Sequence, residues 1–225
     1  MIKREKYLDI LRSFKDKDLI KIVTGIRRCG KSTLFTLYIE YLKSIGVSSN
    51  QIIHINLENL EYAYLDNYEK CNEEHKNYVF LDEAQNISGF EKALGGLYLK
   101  KYIDLYVTGS NAYLLSSEYA TVLSGRYVEI KMYPLSFEEY KSVSSVNDDA
   151  EIYKKHITEG LFPYTLFLDR ASDIEMYLKS IYDSIILKDI IIRKQIPDQL
   201  MMQSVINFCL IILVLLLLLQ ILQIL

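Results

Sequence analysis

The chain has 225 residues, half of them hydrophobic, and a formal net charge of −3 from 26 basic and 29 acidic side chains. A chain of this length can bury a sizeable core, either in one large domain or in a core domain with a small appendage. The balance of charge excludes a global attraction to nucleic acid or to an anionic membrane, so any basic patch must be local.

The cysteines and the amino terminus bear on the compartment. Cys29, Cys71 and Cys209 are isolated, and no histidine stands at ligand spacing from them. This predicts reduced thiols in a cytoplasmic protein without a metal cage. Residues 1–18 are charged and helix-patterned and lack the apolar core and cleavage site of a secretory signal. We expect them to form an N-terminal helix.

Strand-like apolar runs alternate with helical periodicity up to residue 134. The predicted strands are residues 19–24, 51–58, 78–83, 103–110 and 126–133. The predicted helices among them are residues 3–17, 31–45 and 89–101. This alternation predicts an α/β fold, in which a parallel sheet is flanked by helices.

The pattern changes after Pro134, which ends the fifth strand. Ser136 stands three residues before Glu139, which is typical of a helix capping box. Helical periodicity follows over residues 151–158 and 174–194. The predicted organisation is therefore a core over residues 19–134, a small helical part over 135–200 and an apolar tail over 201–225.

The stretch "GIRRCGKST" places a G-x-x-x-x-G-K-S pattern between a predicted strand and a predicted helix. Such a loop cradles phosphates with its backbone N–H groups, while Lys31 reaches the β- and γ-phosphates and Ser32 binds Mg²⁺. Cys29, beside Lys31 and a helix start, is predicted to have a depressed thiol pKa. The alternative is a glycine-rich turn with a surface lysine. The residues predicted to contact nucleotide are Gly25, Ile26, Arg27, Arg28, Cys29, Gly30, Lys31, Ser32 and Thr33.

Two carboxylates end the predicted strand "YVFLDE". The carboxyl ends of parallel strands form the ligand-binding edge of such sheets. Asp82 is predicted to hold Mg²⁺, directly or through water, and Glu83 to polarise a water for attack on the γ-phosphate. The alternative is a strand that runs into a solvated turn.

Polar residues also end the next strand, in "LYVTGSNA". Thr108, Ser110 or Asn111 could hold the attacking water or contact the γ-phosphate, although a turn with a helix cap explains them equally well. Arg126 opens the fifth strand and is either an arginine finger for a neighbouring subunit or a surface arginine.

Taken together, these stretches resemble the bacterial and archaeal AAA-type ATPases of the P-loop superfamily that carry an uncharacterised C-terminal domain. The matching stretches are "GIRRCGKSTL", "YVFLDEAQ", "VTGSNAYLLSSEYATVLSGRYVEI" and "YPLSFEEY", with weaker matches in "EGLFPY" and "SIYDSIILKDIIIR". The resemblance implies ATP as the nucleotide, a further strand between the phosphate-loop strand and the Asp-Glu strand, water activation by Glu83, and a sensor at Ser110 or Asn111.

The chain departs from the family pattern in three places. Leu161 follows Gly160 where the family usually has paired glycines, and the segment between Leu57 and Tyr78 is shorter than usual. Similar chains also continue into a C-terminal domain, whereas this chain ends in "FCLIILVLLLLLQILQIL".

Three interpretations of this tail stay open. Its 18 residues reach the lower limit of a membrane span, about 17 residues, so a C-terminal anchor would give membrane localisation. A buried helix would need surrounding protein on every face. If residues 210–214 were encoded TTG ATA ATA TTG GTA, the frame from the third base would read Asp-Asn-Ile-Gly, as in similar chains. We therefore hypothesise out-of-frame translation from about residue 209.

The sequence predicts a cytoplasmic Mg²⁺-dependent ATPase that could form homo-oligomers and act on a protein or DNA partner. A nucleotide-dependent binding switch with slow hydrolysis, a small-molecule phosphotransferase and an inactive truncated product are the alternatives. Phosphate released to water distinguishes the ATPase from the phosphotransferase, and stimulation by a partner favours the switch.

Overall fold

The computed structural model describes residues 2–58, 71–86, 89–109, 123, 125–144, 146–185 and 198–224. The chain divides into two compact units, Met1–Glu175 and Met176–Leu225. The first unit contains the complete sheet. The boundary that the sequence suggests near Pro134 stays a prediction.

Five strands form one parallel sheet in the order β2-β3-β4-β1-β5. They are β1 (Ile20–Thr24), β2 (Ile52–Asn56), β3 (Asn77–Asp82), β4 (Ile103–Gly109) and β5 (Tyr127–Lys131). All five lie within the predicted strands or one residue from them. Strand β4 lies between β1 and β3, which confirms the additional strand that the resemblance implied.

Helices connect and follow the strands. The α-helices of the described residues are α1 (Glu5–Ser13), α2 (Lys31–Ser44), α3 (Phe90–Tyr98), α4 (Phe137–Lys141), α5 (Asp149–Thr158), α6 (Ala171–Ser184) and α7 (Gln199–Ile224). Short 3₁₀ turns occur at Ser49–Gln51, Ala84–Asn86 and Pro163–Phe167. The predicted capping box is confirmed at α4, where Ser136 and Glu139 each bond the other's backbone N–H.

The sheet is covered on both faces, as expected for parallel strands with helical crossovers. Every residue of β1, β3 and β4 is buried. One core packs α1 and α2 against the sheet through aromatic side chains such as Phe35, Tyr38 and Phe80. The other core includes Phe90 and Leu94 of α3. Apolar side chains of these strands therefore contribute to a core on each face of the sheet.

A buried ion pair lies near the amino ends of β1 and β4. Lys21 Nζ donates to Asp104 Oδ1, and both side chains are fully buried. The other oxygen, Oδ2, accepts from the Asp16 N–H at 2.9 Å and from the Tyr106 hydroxyl at 2.8 Å. Removal from water lowers the pKa of Lys21 even though Asp104 opposes the shift. The buried charges of Lys21 and Asp104 are tolerated because each group pairs with the other and also has further hydrogen-bond partners.

The apolar tail lies in helix α7 of the second unit. In that unit Gln203 Nε2 donates to the Tyr182 hydroxyl at 2.7 Å. Counted over the residues that the structure describes, no helix is long and apolar enough to cross a membrane. The hypothesis of out-of-frame translation stays a prediction.

Candidate active site

The loop between β1 and α2 depends on two glycines. Gly25 has φ 156°, and a Cβ built on it would lie 2.3 Å from the Met132 carbonyl oxygen, so a larger residue would have to displace backbone. Gly30 is the left-handed N-cap of α2, with φ 101°. It offers no side chain to cap the helix. The first N–H groups of α2 are therefore left to an anion, which the helix dipole also favours.

Lys31 directs its ammonium group back into this loop. The residue is 4% exposed, and Nζ donates to the carbonyl oxygens of Gly25 at 3.2 Å and Ile26 at 3.3 Å. Nζ also lies 3.5 Å from Glu83 Oε1. Buried lysines are rare unless paired. The loop and the end of β3 thus hold one cation between them, at the place where the sequence predicts phosphate.

Asp82 ends β3 with one oxygen bonded and the other without a partner. Its Oδ1 accepts a hydrogen bond from Thr108 Oγ1 at the end of β4. The residue is 1% exposed, and among the described residues Oδ2 has no hydrogen-bond partner. A buried carboxylate oxygen left unpaired is costly, and a divalent cation would satisfy it. Asp82 therefore fits the predicted metal.

Glu83 follows in a left-handed conformation, with φ 55°. This conformation is unfavourable for a non-glycine residue and is often kept at functional sites. Its N–H donates to Thr108 Oγ1 at 3.0 Å, and its Oε2 accepts from Gln85 Nε2. Thr108 thus orients both carboxylate residues. The sequence indicated Thr108 only by its place at the end of a predicted strand. In the structure Leu81 and Val107 pair in register, so the residues that follow them, Asp82 and Thr108, are neighbours.

The rest of the predicted nucleotide segment is more open. Ile26, Arg28, Ser32 and Thr33 are exposed, and Arg27 Nη1 lies 3.9 Å from Glu58 Oε1 beyond β2. The Ser32 hydroxyl belongs to the first turn of α2, and its exposure leaves it accessible to a metal ion. The structure therefore brings together Lys31, Asp82 and Glu83, the three residues predicted to act on phosphate, metal and water.

Cys29 differs from its prediction. The side chain is fully buried inside the loop, and this burial raises the pKa of its thiol despite the opposing charges of Lys31 and Arg4. The predicted depression of the pKa is wrong, because desolvation outweighs both neighbouring cations. A small side chain suits this position, because Cys29 is fully buried.

Three further residues are predicted to act at the site. Ser110 and Asn111, the proposed sensors, fall outside the described residues. The carbonyl of Arg126 accepts from the N–H of Ile20, at the start of β1, whereas the phosphate loop follows the end of that strand. Arg126 therefore lies at the amino end of the strands, whereas the phosphate loop of the same chain lies at their carboxyl end. Its role as a finger in a neighbouring subunit stays a prediction.

A parallel sheet of this order, with a glycine loop after β1 and a carboxylate at the end of β3, defines a P-loop nucleotide-binding fold. The family comparison agrees with this class. A model of the AAA domain matches residues 17–141, more than half of the chain. The chain belongs to this AAA-domain family of P-loop ATPases.

Two curated relatives extend the match beyond that domain. An uncharacterised protein of Haemophilus influenzae is 39% identical over 221 residues, which cover 92% of this chain and 55% of the relative. An uncharacterised protein of Methanocaldococcus jannaschii is 29% identical over 193 residues, covering 79% of this chain and 43% of the relative. The chain thus spans about half the length of the curated relatives it matches.

Solved structures share the fold at low identity. The Walker-type ATPase of Pyrococcus abyssi is 17% identical with a TM-score of 0.53, over 88% of this chain and 77% of the other. The AMPPCP-bound DnaA of Aquifex aeolicus is 15% identical with a TM-score of 0.50, over 86% and 64%. At such identity these similarities establish the fold alone.

Proposed function

We propose that the chain binds ATP with Mg²⁺ at the loop between β1 and α2 and hydrolyses the β–γ phosphoanhydride bond. The observation that carries this proposal is the buried Oδ2 atom of Asp82, which has no hydrogen-bond partner among the described residues. Asp82 directly precedes Glu83, which pairs with Lys31. The glycine loop supplies backbone donors, Lys31 a cation and Asp82 a metal ligand. These are the parts that phosphoryl transfer to water requires.

Each residue has a separate role in the proposed reaction. The first N–H groups of α2 bind the phosphates, and Lys31 moves from its carbonyl partners to the β- and γ-oxygens. Ser32 and Asp82 would hold Mg²⁺, which would supply positive charge to neutralise the phosphates. Glu83 then loses its lysine partner to the γ-phosphate, and its carboxylate can accept a proton from the attacking water.

A nucleotide-dependent binding switch is the second candidate, and the state of Glu83 favours it. The carboxylate is held by Gln85 as well as by Lys31, and the residue keeps a left-handed backbone. A general base that must first break two contacts is expected to act slowly. In a switch, ATP would reshape a surface for a partner, and hydrolysis would only reset it.

The setting of this activity is also a proposal. Cys29 is a buried free thiol, which fits a reducing compartment such as the cytoplasm. Homo-oligomerisation, a sensor at Ser110 or Asn111 and a finger at Arg126 belong to the same hypothesis, because a finger would act on a neighbouring copy. A protein or DNA partner would reveal itself by stimulating hydrolysis.

Calorimetry of ATP binding to the full chain, with and without Mg²⁺, followed by phosphate release in the same sample, tests the proposal. We expect Lys31→Ala to abolish binding and Asp82→Asn to remove the effect of Mg²⁺. Glu83→Gln should bind ATP and lose hydrolysis. Lys101→Ala is the matched control, because Lys101 is an exposed lysine paired with Asp18 at 2.5 Å.

The outcomes separate the candidates. Binding that needs Lys31, together with steady phosphate release, supports the ATPase. Binding with negligible release, raised by a partner, supports the switch. Normal turnover by Glu83→Gln would show that another group activates the water, and no binding by the folded wild-type chain would refute both candidates.

A further inference from the structure

A buried arginine outside the predicted site contacts the phosphate loop. Arg4 precedes α1 and is 4% exposed. Its Nη1 donates to the carbonyl oxygen of Cys29 at 3.3 Å. Cys29 stands directly before Gly30, the N-cap of α2. The guanidinium group therefore binds the backbone of the phosphate loop at the residue that precedes the N-cap of α2.

The same guanidinium group binds the segment that follows β5. Nη2 donates to the carbonyl oxygens of Tyr133 at 3.0 Å and Pro134 at 3.3 Å. This segment already supports the loop, because the Met132 N–H donates to the Thr24 carbonyl at 2.7 Å. The Met132 carbonyl is also what a side chain at Gly25 would strike. Arg4 thus joins the loop to the backbone that shapes it.

A third contact brings in helix α4. Arg4 Nε donates to Glu139 Oε1 at 2.6 Å, while Glu139 Oε2 accepts from the Ser136 N–H at 2.9 Å. Tyr7, one turn after Arg4, accepts the N–H of Tyr133 through its hydroxyl at 3.1 Å. The N-terminal segment therefore connects the phosphate loop to the start of α4, and the hydrogen bonds that Arg4 donates are buried or partly buried.

We propose that Arg4 is a positioning residue for nucleotide binding, which holds the Cys29 carbonyl so that the N–H groups of the loop and of α2 face the phosphates. Through Glu139, the affinity for nucleotide depends on the position of α4. The inference rests on the proposed function, since it concerns the same site. Arginine suits this role because its five donors are spread over three nitrogens in a planar, rigid fork that can reach acceptors on separate segments, whereas the three donors of lysine share one nitrogen.

The test measures the dissociation constant of MgATP for the full chain, beside the free energy of unfolding from urea titration. Arg4→Met should weaken binding at least tenfold at a temperature where circular dichroism shows it folded, and Arg4→Lys should weaken it less. Leu94→Ala is the control for stability, because Leu94 is a buried residue of α3 in a cluster that contains neither Arg4 nor any residue of α4. It should lower stability and leave affinity within twofold.

A second pair of variants isolates the link to α4. Glu139→Gln should weaken MgATP binding several-fold, whereas the same change at the exposed neighbour Glu138 should have no effect. Wild-type affinity in folded Arg4→Met and Glu139→Gln would overturn the inference and leave the proposed function intact. An equal loss of affinity in Leu94→Ala would also overturn it, because general destabilisation would then explain the result. No binding by the wild-type chain would refute the proposed function itself.

Discussion

The hydroxyl of Thr108 donates a hydrogen bond to Oδ1 of Asp82, which fixes the carboxylate and leaves Oδ2 as its unpaired oxygen among the described residues. The same hydroxyl accepts the N–H of Glu83 at 3.0 Å. One side chain therefore orients the proposed metal ligand and supports the strained residue that follows it. The end of β4 thereby sets the geometry at the end of β3.

Replacing Thr108 with valine should damage both stability and metal binding. The change keeps the shape but leaves the Glu83 N–H and Asp82 Oδ1 unpaired in a buried place, at a cost of about 1–3 kcal/mol for each group. Thr108→Ser keeps the hydroxyl and should remain close to wild type. Urea titration with and without Mg²⁺ and ATP measures both effects. Equal stability of the valine and serine variants would contradict the role of the hydroxyl.

Gly25→Ala should abolish nucleotide binding and destabilise the fold. The new Cβ would meet the Met132 carbonyl oxygen at 2.3 Å, so β5 or the loop would have to shift. Gly95→Ala is the matched control, since a Cβ at Gly95 meets nothing within 4 Å and the residue lies in α3. Alanine there should stabilise the protein by up to about 1 kcal/mol through helix propensity. Thermal unfolding measures the stability of each variant, and calorimetry measures its ATP binding. ATP binding by Gly25→Ala would contradict the steric argument.

The cysteines should react with a thiol reagent at very different rates. Cys209 is exposed, whereas Cys29 is fully buried with a thiol whose pKa is raised by that burial. At pH 8 we therefore expect fast labelling of Cys209 and labelling of Cys29 only after unfolding. Mass spectrometry of peptides after a timed pulse identifies the labelled residue. Rapid modification of Cys29 in the folded chain would mean that the loop opens readily.

Stability should fall between pH 10 and pH 12 partly because of Tyr140. Burial, together with a hydrogen bond donated to Glu159 at 2.9 Å, raises the pKa of Tyr140 from 10.0 to about 12. Above pH 10 the unfolded chain loses this proton first, so the stability present at lower pH is lost as pH rises towards 12. Tyr140→Phe should reduce the slope in urea titrations over this range.

The matched control for that experiment is Tyr153→Phe, which changes an exposed tyrosine of α5. Its slope of stability against pH should equal that of the wild type. Tyr38 and Tyr106, whose pKa values are also raised by burial, keep contributing in both variants. An unchanged slope in Tyr140→Phe would show that Tyr140 is not protected from ionisation.

Local patterns predicted the five strands and where the candidate site residues lie on them, whereas contacts between distant segments could not be predicted. The spacing of Gly25, Gly30 and Lys31 and the strand that ends at Asp82 are local signals, and each is confirmed as a feature of the fold. The hydrogen bonds of Arg4 to Tyr133 and Glu139 join residues more than 125 positions apart. Hydrophobic periodicity in the sequence carries no information about contacts at this separation. The prediction for Cys29 failed for a related reason, because sequence shows a neighbouring lysine but not burial.

The proposed site draws its groups from the ends of β1, β3 and β4, which neighbour one another in the sheet but are far apart in the chain. A fragment with one or two of these strands lacks part of the site, so the site forms only when all three strands have paired. A ligand bound there would add its binding energy to the folded state alone, about 2.7 kcal/mol at a concentration one hundred times its dissociation constant. Nucleotide supply would then control how much of the chain survives in the cell, as well as what the chain does.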